Sequence, residues 1–247
     1  MSRGTKQLLY ILAYSALFVF VVGSIYAVLK PPPTCTDGVQ NQGEEGVDCG
    51  DVCGVICSNK LSPLQERGSA RMFSPATGTI AILASVANPN QDYAVKNFSY
   101  RIVWQDKDGA ERSIPGSTWI YAGEEKYILG FADGEIGFTP HIVFSGAPDW
   151  AKKADFPRVD ISSRDVQTVK EGPNYRARAT IVNNDTTPVS KVEATAVFYD
   201  KFNNPVGVAP AQTQGLISGE VREISTVHPA LNQIDPLRTA FFLYGLR

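Results

Sequence analysis

The chain has 247 residues, 43% of them hydrophobic and 19% charged, with a net charge of -2. That length holds one large domain or two of about 100 residues, each able to bury a core of its own. A near-neutral chain without a Lys/Arg run lacks the basic face of a nucleic-acid binder, so no nucleic-acid partner is expected.

The first element is an apolar run. Residues 7–29, Gln7 to Leu29, contain no charge, and about 20 such residues suffice for a helix to cross ~30 Å of hydrocarbon. Tyr10, Tyr14 and Tyr26 lie near its ends, where aromatic rings favour the membrane interface. A cleaved signal peptide has a shorter apolar core of about 7–15 residues, and Ser24 and Ala27 offer only a weak cleavage site. The run is therefore read as a retained transmembrane helix whose partner is the lipid bilayer. Arg3, Lys6 and the α-amine precede it and only Lys30 follows closely. The positive-inside rule puts residues 1–6 in the cytoplasm as a short tail and the bulk of the chain outside.

Residues 30–34 form a Pro-rich stalk, in which Pro31-Pro32-Pro33 favours a stiff extended conformation. A small module over residues 35–60 follows. Its core, Cys35 to Cys57, has few apolar residues and five glycines, too little to fold by burial, so Cys35, Cys49, Cys53 and Cys57 are expected to staple it as two disulfides. Three pairings are open. An oxidising compartment outside the cytoplasm suits them, whereas the C-x13-C-x3-C-x3-C spacing lacks the paired C-x2-C of a zinc knuckle. Asp37, Asn41, Glu44 and Asp48, with Glu45 and Asp51, supply hard oxygens of the kind calcium takes, though not at EF-hand spacing. Calcium is the one cofactor the sequence raises; a solvated acidic loop is the plainer reading.

The run Cys35-x-Asp37-Gly38-Val39-Gln40-Asn41-x-x-Glu44-x-Gly46-Val47-Asp48-Cys49-Gly50-x-x-Cys53 resembles a short Cys/Asp/Gly motif of bacterial surface and secreted proteins. There it sits between a membrane or signal segment and adhesive domains. Asp51 stands where that motif often has a second glycine. The resemblance implies an envelope location and a bacterial origin, and no reaction.

Beyond Leu61 the chain reads as short β-rich runs broken by Gly, Pro, Asn and Asp. Strands are predicted at 79–87, 98–105, 126–131, 175–182, 192–199, 221–227 and 239–244. The pattern repeats with a period near 95. Ala84-Ser85-Val86-Ala87-Asn88 aligns with Ala179-Thr180-Ile181-Val182-Asn183. Val95, Phe98, Trp104 and Asp106 fall opposite Val189, Val192, Phe198 and Asp200, and Gly123-Glu124 falls opposite Gly219-Glu220. A period of that size is a duplicated domain rather than a solenoid. The expected fold is all-β: two tandem Ig-like β-sandwich domains, residues 61–157 and 158–247, behind one transmembrane helix and the disulfide-rich module. Ala196-Val197-Phe198-Tyr199-Asp200 and the loop Asn88-Pro89-Asn90 resemble the FxLYD and late-embryogenesis type 2 families of Ig-like sandwiches. Those are binding, scaffolding or uncharacterised modules, so the resemblance implies a fold and no activity.

No catalytic site emerges. His141 and His228 are not equivalent in the repeat and read as edge or loop residues. There is no Gly-x-Ser-x-Gly elbow, His-Glu-x-x-His helix or phosphate loop, so no enzyme is expected. Trp104 aligns with Phe198 and belongs to a core, whereas Trp119 and Trp150 have no aromatic counterpart and are the candidate binding residues. The expected function is a non-enzymatic, membrane-anchored binding or structural protein of the cell envelope with a protein partner there. Its alternatives are an accessory subunit of a secretion, pilus or surface-layer assembly, and a glycan-binding ectodomain.

Overall fold

The computed structural model describes residues 3–29 and 34–247. The stalk prolines Pro31, Pro32 and Pro33, and the ends of the expected tail and stalk at residues 1–2 and 30, lie outside the described residues. The chain is mostly β, with 54% strand and 13% helix, and forms two compact units, Met1–Cys57 and Ser58–Arg247.

In the first unit, α1 (Arg3–Leu29) is a helix of 27 residues, about 40 Å long at 1.5 Å per residue. Its Arg3–Tyr26 stretch is long and apolar enough to cross a membrane and none of it is buried. The cysteines that follow pair Cys35–Cys53 and Cys49–Cys57, with Cα–Cα distances of 5.6 and 5.2 Å. The two bridges interleave in sequence, so each disulfide closes a loop containing one end of the other. Gly50 makes this possible: at φ 121° it lies in the left-handed region, and a Cβ there would stand 2.7 Å from the Glu45 backbone nitrogen.

The second unit holds both sandwiches. Strands β1 (Gln65–Glu66), β2 (Arg71–Ala76), β3 (Thr79–Ala87), β4 (Tyr93–Gln105), β5 (Glu111–Ile120), β6 (Glu125–Asp133) and β7 (Phe138–Lys152) build the first. Strands β8 (Ile161–Glu171), β9 (Asn174–Asn183), β10 (Val189–Tyr199), β11 (Pro205–Leu216), β12 (Val221–Pro229) and β13 (Thr239–Leu246) build the second. In the first, β3 pairs with β6 on one side and with β1 and β2, and β4 lies between β5 and β7. In the second, β9 lies between β12 and β8, and β10 between β11 and β13. The pairings are antiparallel, and β6–β3–β2 and β5–β4–β7 of the first copy match β12–β9–β8 and β11–β10–β13 of the second, β1 being an addition to the first.

The residues that mark the repeat close the same turns twice. Asn88 is 2% exposed and Asn183 fully buried. The Asn88 amide donates to the Tyr93 and Tyr121 carbonyls at 2.7 and 3.0 Å, and that of Asn183 to the Thr187 and Leu216 carbonyls at 3.0 and 3.1 Å. The Glu124 carboxylate accepts from the Tyr121 amide and that of Glu220 from the Ile217 amide, both at 2.9 Å. Asp106 and Asp200 each accept two backbone amides of their own turns. Side-chain oxygens thus satisfy loop amides that no strand can reach.

Each sandwich has an apolar core, and a third cluster joins them. Ile80, Ile82, Ala84 and Val86 of β3 pack with Val95, Phe98 and Trp104. Ala177, Ala179 and Ile181 of β9 pack with Val192, Ala196 and Phe198 of β10. The alternate β3 residues Ala81 and Leu83 instead meet Val197 and Val208 of the second sandwich. The sheet containing β3 is therefore covered on both faces, and the two repeats share one compact unit rather than standing apart.

Candidate functional site

A cleft of about 580 Å³ opens where β5 and β6 of the first sandwich meet β10, β11 and β13 of the second. Its anchor is Lys126. On β6 this residue alternates with Ile128 toward the interior, and it is 2% exposed. An ammonium so placed requires partners. It donates to the Thr118 hydroxyl at 2.7 Å and to Glu193 Oε2 at 3.1 Å, and lies 3.5 Å from the centroid of the Trp119 ring. Glu193, on β10, also accepts from Lys191 at 2.7 Å.

Burial draws the Lys126 ammonium below its usual pKa, against the opposing pull of Glu193. For Glu193, burial raises the carboxyl, but Lys126 and Lys191 together hold it below its ordinary value. The pair spans the two sandwiches. Two hydroxyls reinforce it: Tyr121 donates to the Gly245 carbonyl at 2.8 Å, and Tyr244 accepts from the Tyr127 amide at 2.8 Å. Tyr127 and Phe242 meet edge to face at 4.7 Å. The arrangement fixes the cleft walls and presents donors and acceptors, with Lys126 bonded to Thr118 and Glu193.

The sequence candidates are distributed differently. Trp119 is a correction: at 5% exposure its ring lies under Lys126 and offers no free stacking face. Trp150 is half-buried on β7 and lines a separate hollow of about 390 Å³ with Leu61, Pro63, Phe144 and Pro148. His228 is a second correction. It does lie on an edge strand, β12, but its side chain is turned inward: it is 1% exposed, with its ring 5.0 Å from that of Phe198. The space comes from Gly207, where a Cβ would stand 2.6 Å from His228 Nε2. His141 is exposed, as expected of an edge residue, with Nδ1 3.0 Å from the Thr139 carbonyl oxygen.

In the cysteine module the acidic side chains serve its own turns. Asp37 accepts from the Thr34 and Val39 amides and the Asn41 side chain, and these bonds, led by the Thr34 amide, lower its pKa. Asp48 accepts the Gly38 amide at 3.0 Å. Glu44, 6% exposed, accepts the Asn41 and Asp48 amides, both at 3.2 Å. Among the described residues, the grouping of His, Cys, Asp and Glu ligand atoms within 4.8 Å of one another is Cys35, Glu44 and Cys53. Its two sulfurs are bonded to each other. The Asp37, Glu44 and Asp48 carboxylates thus accept backbone amides of the module, whereas Asn41 Oδ1 is buried with no hydrogen-bond partner among the described residues.

Sequence patterning missed Lys126, Glu193, Tyr100 and Tyr244. A signal for the first was present: Lys126 sits two residues before Ile128, on the core-facing side of a strand, where a lone ammonium is out of place unless something buried receives it.

No family model matches this chain, and no curated protein matches it. Among solved structures, red sea bream transglutaminase is similar at 7% identity and a TM-score of 0.21, over 77% of this chain and 32% of that one. The tandem CBM22-1–CBM22-2 domain of Paenibacillus barcinonensis Xyn10C is similar at 10% identity and a TM-score of 0.15, over 74% and 85%. Likenesses this slight carry no functional argument.

Proposed function

We propose that this is a non-enzymatic, single-pass membrane protein of the cell envelope, with residues 7–29 in the bilayer and the sandwiches held outside as a binding or structural module. The observation that carries this is the bare helix: an apolar surface of that length with none of it buried is satisfied by lipid rather than water. Two formed disulfides soon after it fit an oxidising exterior. The Asn loops and Asp turns, bonded alike in both copies, support the resemblance to FxLYD and late-embryogenesis type 2 Ig-like sandwiches. The Cys/Asp/Gly run supports a bacterial surface location.

Crosslinking in native membranes, then pull-down and mass spectrometry, tests the proposal. The chain is expected in the membrane fraction with residues 7–29 intact. A partner at near-equal amount makes it a subunit of an assembly, and recovery without one leaves a free binding module. Recovery in the soluble fraction, cut after the apolar run, overturns the anchor.

A further inference from the structure

We infer that the cleft between the sandwiches binds a neutral carbohydrate of one or two rings. This rests on the proposed role as an outward-facing binding module and gives that role a ligand class. The first ground is charge. Among the described residues, Lys126 and Glu193 are the only charged residues lining the cleft, and they are paired, so the lining itself carries no net charge. The second is polarity. Tyr100, Thr118, Gln212, Ser225 and Tyr244 bring hydroxyl and amide groups to the walls, and a purely apolar ligand would strip these of water without replacing it. Aromatic side chains among hydroxyls and amides suit a molecule with apolar ring faces and a rim of hydroxyls.

Two details show that the donors are placed. Tyr100 lies opposite Gly116 on β5, where a Cβ would stand 2.4 Å from the Tyr100 ring and 2.5 Å from its oxygen. The absent side chain lets the ring cross β5 and carry its hydroxyl to the cleft. Among the described residues that hydroxyl has no protein hydrogen-bond partner. The Tyr244 hydroxyl accepts the Tyr127 amide, leaving its own proton to donate. Glu193, clamped by two lysines, retains lone pairs for a ligand hydroxyl, and a charge-assisted acceptor held this way is already oriented. At about 580 Å³ the cleft falls within the roughly 300–1,000 Å³ of small-ligand sites.

The test uses the full chain in lipid nanodiscs, since sugar-headed detergents would compete. Maltose, cellobiose and N,N'-diacetylchitobiose are titrated singly, with glucuronate as the charged control, and binding is read by saturation-transfer NMR and tryptophan emission. At least one neutral disaccharide is expected to bind. Tyr100→Phe and Gln212→Ala should each weaken it roughly three- to tenfold at unchanged melting temperature, and Trp150→Ala should leave it intact. Failure of all three disaccharides, tighter binding of glucuronate, loss in Trp150→Ala, or full affinity in a Tyr100→Phe/Gln212→Ala double variant overturns the assignment. Membrane retention with a crosslinked partner but no saccharide binding would defeat this inference alone. A chain recovered soluble would defeat the anchor while leaving the cleft assignment to its own titrations.

Discussion

Strands β3 and β9 hold the same place in the two sandwiches yet read differently. β3 runs Thr79-Ile80-Ala81-Ile82-Leu83-Ala84-Ser85-Val86-Ala87, buried from Ile80 to its end. β9 alternates, with Tyr175, Ala177, Ala179 and Ile181 inward and Arg176, Arg178 and Thr180 outward. The cause is position in the stack. Ala81 and Leu83 face the second sandwich, whereas Arg176 and Arg178 face solvent and pair with Glu171. The other equivalent strands show the converse. β10 is largely buried, while β4 exposes Lys96, Asn97, Ser99 and Arg101. A duplicated domain has therefore packed on its copy through non-equivalent sheets, a heterologous contact of the kind that can propagate. The outer faces of β4 and β9 instead carry charged side chains.

The same contrast fixes the largest expected effect. Lys126 and Arg222 are equivalent, each two residues before a buried isoleucine. Lys126 faces the junction; Arg222 instead bonds Glu220, Thr213 and the Gln214 and Gly215 carbonyls near the surface. Lys126→Met should cost about 3 kcal/mol, since it breaks a buried pair, and Arg222→Met about 1 kcal/mol. Urea unfolding followed by tryptophan emission measures both. Equal losses would mean that the junction contributes nothing beyond what each sandwich has alone.

Where the copies are alike, the effects should match. Asn88→Ala and Asn183→Ala each remove an amide that satisfies buried loop carbonyls, at about 2 kcal/mol apiece. A difference much above 0.5 kcal/mol would show that the two turns do different work despite the same bonds.

This repetition was the most legible part of the fold, because its markers act locally. Asn88, Asn183, Asp106, Asp200 and the Gly-Glu pairs close turns within their own hairpins, so their spacing survives in sequence. Strands β9 and β12 were legible from apolar alternation, and β3 and β10 from apolar runs. β5 and β11 were not: Pro115 and Gly116, and Pro205, Gly207 and Pro210, break the pattern, and edge strands tolerate such residues because one side has no ladder to lose. The cleft was least legible, since it joins residues such as Lys126 and Glu193 that are close only once the sheets have packed. The unbroken apolar run of β3 was the available clue to a second covered face.

His228 gives a smaller, pH-dependent separation of the copies. Its counterpart by alignment is Ala132, so only the second sandwich carries a titrating group there. Burial lowers the pKa of His228 below 6.5, outweighing its bond to the Pro229 carbonyl. Below pH 6.5 the unfolded chain therefore binds the proton that the folded chain resists. Stability should fall as pH drops from about 6.5, by up to ~1.4 kcal/mol per unit until the folded pKa is reached. Unfolding at pH 7 and pH 5 should show the loss, and His228→Leu should flatten it. An unchanged slope in that variant would assign the acid sensitivity to other groups.

The smallest effect sits at Tyr121, whose counterpart is Ile217. Tyr121 is 2% exposed and Ile217 62% exposed, again because one copy's turn is covered by the other sandwich. Tyr121→Phe keeps the ring against Phe156, 4.9 Å away, and removes only the hydroxyl that donates to Gly245. The loss should be about 1 kcal/mol, against near zero for Ile217→Ala on an exposed turn. Combining Tyr121→Phe with Lys126→Met tests whether the two contacts act together. A combined loss smaller than the sum would mean that breaking the ion pair already loosens the hydroxyl contact. A strictly additive result would mean that the ion pair and the hydroxyl contact stabilise the junction independently.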